Sequence, residues 1–236
     1  MSYQSTFKRY ELKFILTQEQ KAAIEQAMYP HMQPDRYGLS TIRNIYYDTE
    51  DYRLIRSSIE KPVYKEKLRL RSYRKLESTE PAFVELKRKY DGVVYKRRLS
   101  LCHKDAVNWL AGNNTFAPNC QIAREIQYFS SFYETLHPVL FLSYDRVAWF
   151  SHESPDLRVT FDDHITCRQD RLSLCEDPGG ASILPEGITL MEIKTAGGIP
   201  LWLTEELSKN RIFKTSFSKY GTAYKTLIYK GAQQYV

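Results

Sequence analysis

Ionic residues recur at even spacing in short stretches of this chain: Arg69 and Arg71, Glu85 and Lys87, Lys96 and Arg98, Arg158 and Asp162, Glu192 and Lys194. Apolar residues stand between or beside most of them, namely Leu68, Leu70, Val84, Leu86, Val159, Phe161, Met191 and Ile193. Successive side chains of a β-strand point to opposite faces, so each stretch predicts a strand with one ionic and one apolar face. A sheet with one face in water accounts for any single stretch. Across the set, however, the polar face is rich in Arg, whose rigid fork of donors suits phosphate and carboxylate. The carboxylates of Glu85 and Glu192 each recur two residues from a lysine. Together these types form the composition of a site for a polyanion and a divalent metal.

The same alternation sets out the elements that must position the ionic groups. Strands are predicted at 7–16, 41–47, 64–74, 82–90, 93–101, 139–150, 157–167 and 188–195. Asp91-Gly92 is a hairpin turn between the fourth and fifth. Thr17 with Gln20 has capping-box spacing ahead of a helix over 18–28, and further helices are predicted at 104–111, 122–135, 204–209 and 219–229. The segment 169–187 contains Pro178, Gly179, Gly180 and Pro185, which predicts a long surface loop and a place for disorder. Eight mostly antiparallel strands suffice to close a small barrel, and closure removes exposed edges. The helices carry apolar stripes that need a partner, so the expected architecture is α+β: an eight-stranded antiparallel closed β-barrel with a polar lumen and helices packed outside. The whole chain, 1–236, reads as one domain.

Composition limits the function classes. A net charge of +6 favours an acidic partner without choosing among nucleotide, phosphate polymer, nucleic acid and anionic lipid. Strand parity places most of the basic residues on an inner face, which argues against nucleic acid on an open surface. Cys102, Cys120, Cys167 and Cys175 form no C-x-x-C pair, and free thiols are expected. No apolar run approaches the roughly 18 residues needed to cross a bilayer, and the polar opening MSYQSTFKRYELK is unlike a signal peptide, so a soluble cytoplasmic protein is expected. No Ser-His or Cys-His nucleophile stands out, His164 reads as a hydrogen-bonded structural residue, and Gly197-Gly198 lacks the surroundings of a P-loop.

The stretch Tyr46 to Thr49 (YYDT), the Arg69-x-Arg71 pair, Val84 to Lys87 (VELK), Glu192-Ile193-Lys194 before Gly198-Ile199-Pro200, and Phe217-Ser218-Lys219-Tyr220 together resemble one family. It is the catalytic domain of the vacuolar transporter chaperone (VTC) polyphosphate polymerases, within the CYTH-like superfamily of triphosphate tunnel metalloenzymes. The resemblance runs over essentially the whole chain. It implies an eight-stranded tunnel, ATP as phosphoryl donor, transfer of the γ-phosphate to a growing polyphosphate chain, and release of ADP. It further implies that Lys13, Arg69, Arg71, Lys87, Lys96, Arg146, Arg158 and Lys219 hold phosphate oxygens and that Glu192 binds the metal, Mn²⁺ or Mg²⁺. Lys13, Arg69, Arg71, Lys87, Glu192 and Lys219 are the expected catalytic set.

Simpler members of the superfamily open with E-x-E-x-K, whereas this chain has Arg9-x-Glu11-x-Lys13. That difference favours the polymerase branch and fewer carboxylates around the metal. Glu11 and Glu85 are expected to orient neighbouring cations, Lys194 to hold Glu192, and Asp162 to act as a secondary ligand or structural acceptor. The competing readings keep the site and change its use. They are a tripolyphosphatase or nucleoside triphosphatase with water as acceptor, and a non-catalytic module binding polyphosphate or inositol polyphosphate. Expected partners are ATP and polyphosphate, with no nucleic acid; a separate membrane protein is compatible with the sequence.

Overall fold

The computed structural model describes residues 10–91, 93–113 and 118–229. Its strands are β1 (Tyr10–Thr17), β2 (Met32–Pro34), β3 (Ser40–Asp48), β4 (Tyr64–Ser72), β5 (Pro81–Tyr90), β6 (Val93–Cys102), β7 (His137–Ser151), β8 (Arg158–Arg168), β9 (Ala181–Ser182), β10 (Ile188–Thr195) and β11 (Lys214–Thr215). The helices are α1 (Gln18–Met28), α2 (Arg53–Ile59), α3 (His103–Leu110), α4 (Gln121–Tyr133), α5 (Leu201–Lys209) and α6 (Lys219–Ala223), the last running into a π-helical stretch, Tyr224–Tyr229. All eight expected strands are present; the part of the first that covers 7–9, including Arg9, lies outside the described residues, as does Gly92 of the expected turn. The hairpin itself forms, pairing Tyr90 with Val93.

The expected closed barrel is not found. Hydrogen bonds join the strands in the order β11-β1-β10-β8-β7-β3-β4-β5-β6, with β2 on β7 and β9 on β8. This is an open sheet of eleven strands, and among the described residues no ladder joins its ends. Closure needs a partner for every edge and a consistent tilt and stagger, which a count of strands does not supply. Here one end is β11, two residues long and paired to β1 only at Lys13 and Phe14. The other end is β6, whose ladder runs to β5. The class remains α+β.

Two compact units share the chain. One comprises residues 10–41, Tyr144–Ile165 and Ser182–Lys219. Its core sets Phe14, Leu16, Val159, Phe161, Met191 and Ile193 of the strands against Ile24 and Met28 of α1 and Leu203 and Leu207 of α5. The Thr17 hydroxyl accepts from the Gln20 amide while the Gln20 side chain accepts from the Thr17 amide, so the predicted capping box starts α1. The apolar parity of β1, β8 and β10 is thereby committed to helices, and their ionic parity is left for a site.

The second unit comprises Ile42–Ser143, Thr166–Ala181 and the described residues from Tyr220. Leu68, Leu70, Val84 and Leu86 pack on Ala106 and Trp109 of α3 and Ala123, Ile126 and Phe129 of α4. Each fully buried Leu, Val, Ile or Phe among them contributes about 1.5–3 kcal/mol. Leu174, inside the segment read as a surface loop, is fully buried in this core, and Arg168 donates to the carbonyls of Asp170, Arg171 and Asp177 around it.

Helix α2 was not expected, because a polar cluster follows β3. Asp48, at the end of β3, accepts from the amides of Thr49 (2.9 Å), Leu54 (2.8 Å) and Ile55 (3.0 Å) and from the Tyr220 hydroxyl (2.8 Å). One buried carboxylate thus caps a helix whose own N-cap residue, Tyr52, has no side-chain cap bond. The same carboxylate fixes the Tyr220 ring, which stacks on Tyr46 at 4.6 Å. Asp48→Ala is expected to cost about 2–4 kcal/mol in urea unfolding, since it removes a cap and leaves a buried hydroxyl unpartnered. A loss below about 1 kcal/mol would show that α2 and Tyr220 hold without it.

Candidate functional site

In the first unit, Lys13, Glu192 and Thr160 form one cross-strand row on β1, β10 and β8, and Glu11, Lys194 and Arg158 form the next. Residues paired across a ladder share a face, so these positions lie on the face opposite the apolar core. Arg146 of β7 makes a forked bond to Asp162, at 2.5 and 2.6 Å, and reaches Glu192 Oε2 at 3.2 Å. Lys219, at the start of α6, donates to Glu192 Oε1 at 3.0 Å and lies 2.5 Å from Asp162. Lys13 and Lys194 approach Glu192 at 3.6 and 3.8 Å. Lys13 also donates to the Phe217 carbonyl at 2.8 Å and lies 3.5 Å from Glu11. Burial would raise the Glu192 carboxyl, but Lys219, Arg146, Lys13 and Lys194 together hold it well below the carboxylate range. Burial likewise opposes the charge on Lys219, and Asp162 and Glu192 more than offset it, keeping the ammonium protonated.

The second unit repeats the arrangement around one carboxylate. Arg69, Glu85 and Arg98 form a cross-strand row through β4, β5 and β6, with Lys67, Lys87 and Lys96 beside it. Glu85 accepts from Arg69 at 2.7 and 2.8 Å and from Arg98 at 2.7 Å, and lies 2.7 Å from Lys96 and 3.8 Å from Arg71. Its side chain is 1% exposed. Burial pushes this carboxyl up, yet Arg69, Arg71 and Lys96 outweigh it, so it stays ionised far below the usual range. Lys96 is the weakest cation of the set: burial, with Arg98 and Arg69 nearby, lowers its ammonium to about 7 despite Glu85.

Most of the predicted residues therefore gather in two groups. Lys13, Arg146, Lys219, Glu192, Asp162, Glu11 and Lys194 belong to one, and Arg69, Arg71, Lys96 and Glu85 to the other. Lys87 is placed on the ionic face between Lys67 and Lys96. Arg158 points elsewhere, 3.8 Å from Asp35 and over the Phe150 ring at 4.7 Å. His164 bonds Asp145 at 3.0 Å.

Several contributors were missed. Arg98 shares the recurring pattern yet was left out of the expected site. Asn44, fully buried, accepts from Arg71 at 2.8 Å and donates to the Leu142 carbonyl at 3.1 Å, so it fixes that guanidinium. Its signal was the polar parity of β3, where Asn44 alternates with Ile45. Tyr144 presents its ring 4.5 Å from the Lys219 ammonium and 5.1 Å from the Arg146 guanidinium, and nothing in its local sequence marks it.

For a hard divalent ion the donor chemistry fits a shared site. Glu192 and Asp162 present carboxyl oxygens within reach of the same two cations, Arg146 and Lys219. No group of three or more His, Cys, Asp or Glu residues is assembled among the described residues. Remaining ligands would have to be phosphate oxygens and water, the usual habit of Mg²⁺ in sites that bind phosphorylated substrates.

A family model for the VTC domain matches residues 8–228. No curated protein sequence matches the chain. Among solved structures, a candidate adenylate cyclase from Bacillus halodurans is similar, with TM-score 0.57, 17% identity, and coverage of 91% of this chain and 95% of that one. A candidate adenylate cyclase from Vibrio parahaemolyticus has TM-score 0.51 and 11% identity, covering 93% and 99%. At these identities the likeness is one of fold.

Glu85→Gln leaves four cations facing a neutral amide and is expected to cost on the order of 3–5 kcal/mol at neutral pH. A carboxyl depressed in the folded state contributes stability above its unfolded value of 4.5 and loses it as pH falls. The wild type should therefore lose stability between about pH 5 and pH 2 more steeply than Glu85→Gln. Parallel curves would contradict the assignment of Glu85 as the hub.

Proposed function

The chain belongs to the VTC domain family, and on that premise we propose that it is a metal-dependent polyphosphate polymerase acting on ATP. The observation that carries this reading is the convergence, among the described residues, of several cations on each of two buried carboxylates, Glu85 and Glu192. Among the described residues, Arg69, Arg71, Lys96 and Arg98 all lie within ion-pair distance of Glu85. Lys13, Arg146, Lys194 and Lys219 lie likewise around Glu192. A triphosphate or phosphate polymer brings negative charge to these cations, and the guanidinium forks and ammonium groups suit its oxygens.

In the reaction a terminal oxygen of the acceptor chain attacks the γ-phosphorus, the bond from that phosphorus to the β,γ-bridging oxygen breaks, and ADP leaves. Such transfer asks for alignment and for neutralisation of charge on the phosphoryl oxygens more than for covalent help. Within one unit Arg146 would hold phosphate in fixed orientation with Lys13 and Lys219 as point charges; within the other, Arg69 and Arg71 would do so with Lys87 and Lys96. Arg158 would serve farther along the chain. Glu11, Glu85, Lys194 and Asp162 would keep the cations in place. Glu192 would hold Mn²⁺ or Mg²⁺, which when bound neutralises phosphate charge. Among the described residues no helix is long and apolar enough to cross a membrane.

The test is incubation of purified protein with ATP and Mn²⁺ or Mg²⁺, with products resolved by gel and ³¹P NMR. Polyphosphate and ADP are expected. Glu192→Gln and Lys219→Ala should each reduce turnover by about 10²-fold or more, with folding checked by circular dichroism. Orthophosphate or tripolyphosphate alone would move the reading to a hydrolase, and cyclic AMP to the chemistry named for the similar structures. Triphosphate binding without turnover in any divalent metal would mean a binding module.

A further inference from the structure

Thr160 was not among the expected site residues. It lies on β8 directly opposite Glu192, between Arg158 and Asp162 on the ionic parity, so the ladder puts its side chain on the face that holds Lys13, Glu192 and Asp162. The residue is fully buried, and among the described residues its hydroxyl has no hydrogen-bond partner. A buried hydroxyl without a partner carries a desolvation penalty that a methyl in the same place would not. Its neighbours on this face are richly bonded, with Asp162 and Glu192 each accepting from two cations. The hydroxyl is thus a donor in reserve within a cation-rich cluster, where an incoming anion brings acceptors for it.

We propose that the Thr160 hydroxyl is a neutral hydrogen-bond donor to a phosphate oxygen of the bound triphosphate or polyphosphate. The proposal rests on the phosphate-handling reading given above and adds a residue to it. Because the hydroxyl is sealed from solvent, it meets the ligand after Lys219 and Arg146 have exchanged their contacts with Glu192 and Asp162 for contacts with phosphate. Thr160 then distinguishes a phosphate seated beside Glu192 from one held only by the outer cations, since ammonium and guanidinium groups reach outward and a threonine hydroxyl does not.

Thr160→Val keeps the shape and removes the hydroxyl, and Thr160→Ser keeps the hydroxyl. Tripolyphosphate affinity is measured by calorimetry in EDTA and again with Mn²⁺ in place of EDTA, and the thermal midpoint is measured without ligand. The expected result is about tenfold or greater weakening in Thr160→Val, an affinity within about twofold of wild type in Thr160→Ser, and a midpoint for Thr160→Val at or above wild type. Wild-type affinity in Thr160→Val overturns the proposal and assigns the hydroxyl an ordered water or nothing. Weakening seen only when Mn²⁺ is present overturns it in favour of a metal contact. No tripolyphosphate binding by the wild type overturns the phosphate-handling reading itself, and this proposal with it.

Discussion

Buried carboxylates need positive charge beside them, and among the described residues Glu85 and Glu192 each gather several cations. Glu85, almost wholly buried, accepts from Arg69 and Arg98 and lies against Lys96 and Arg71. Taking ions from water costs several kcal/mol each unless close partners and hydrogen bonds repay it. The surrounding cations repay that cost, so Glu85 and Glu192 stay ionised in spite of burial. It also gives the carboxylates a second role: they keep the guanidinium and ammonium groups converged in the absence of a phosphate. Preorganised charge of this kind is what phosphoryl transfer requires, because little reorganisation is left for the moment of reaction.

The rest of the architecture follows from keeping that ionic face free. In each unit helices cover the opposite parity of the strands: Ile24, Met28, Leu203 and Leu207 in one, Ala106, Trp109, Ala123, Ile126 and Phe129 in the other. A one-residue slip in any of these strands would exchange the two faces and put Leu or Val where Lys or Arg stands. The apolar core therefore sets the register of the site. Polar anchors finish the job locally: Asn44 fixes Arg71, Asp48 fixes Tyr220, and the Phe217 carbonyl fixes Lys13.

What was legible in the sequence was periodicity. Alternation located the eight long strands, and the capping box at Thr17 and Gln20 located the start of α1. Pairing of distant edges was not legible, because it depends on stagger and on short segments such as β11 that have no periodic signature. Helix α2 was hidden for a different reason. Its cap is Asp48, several residues upstream, where local spacing rules do not look. In the candidate site, residue types marked Glu85, Glu192 and their lysines and arginines. The direction taken by a long side chain did not follow from parity, as Arg158 over the Phe150 ring illustrates. Neutral contributors such as Asn44 and Thr160 carry no charge pattern, and only the register shows them on the ionic face.

The central claim is that the buried cations are the ligand-binding groups and that the carboxylates hold their places. It is tested most directly by ¹⁵N NMR of the lysine ammonium and arginine guanidinium groups during titration with tripolyphosphate. The account predicts that Lys219 and Arg146 of one unit shift together, that Arg69 and Arg71 of the other shift together, and that both pairs saturate, while exposed Lys75 and Lys209 move little. Shifts confined to exposed lysines, with the ion pairs of Glu85 and Glu192 undisturbed, would contradict it.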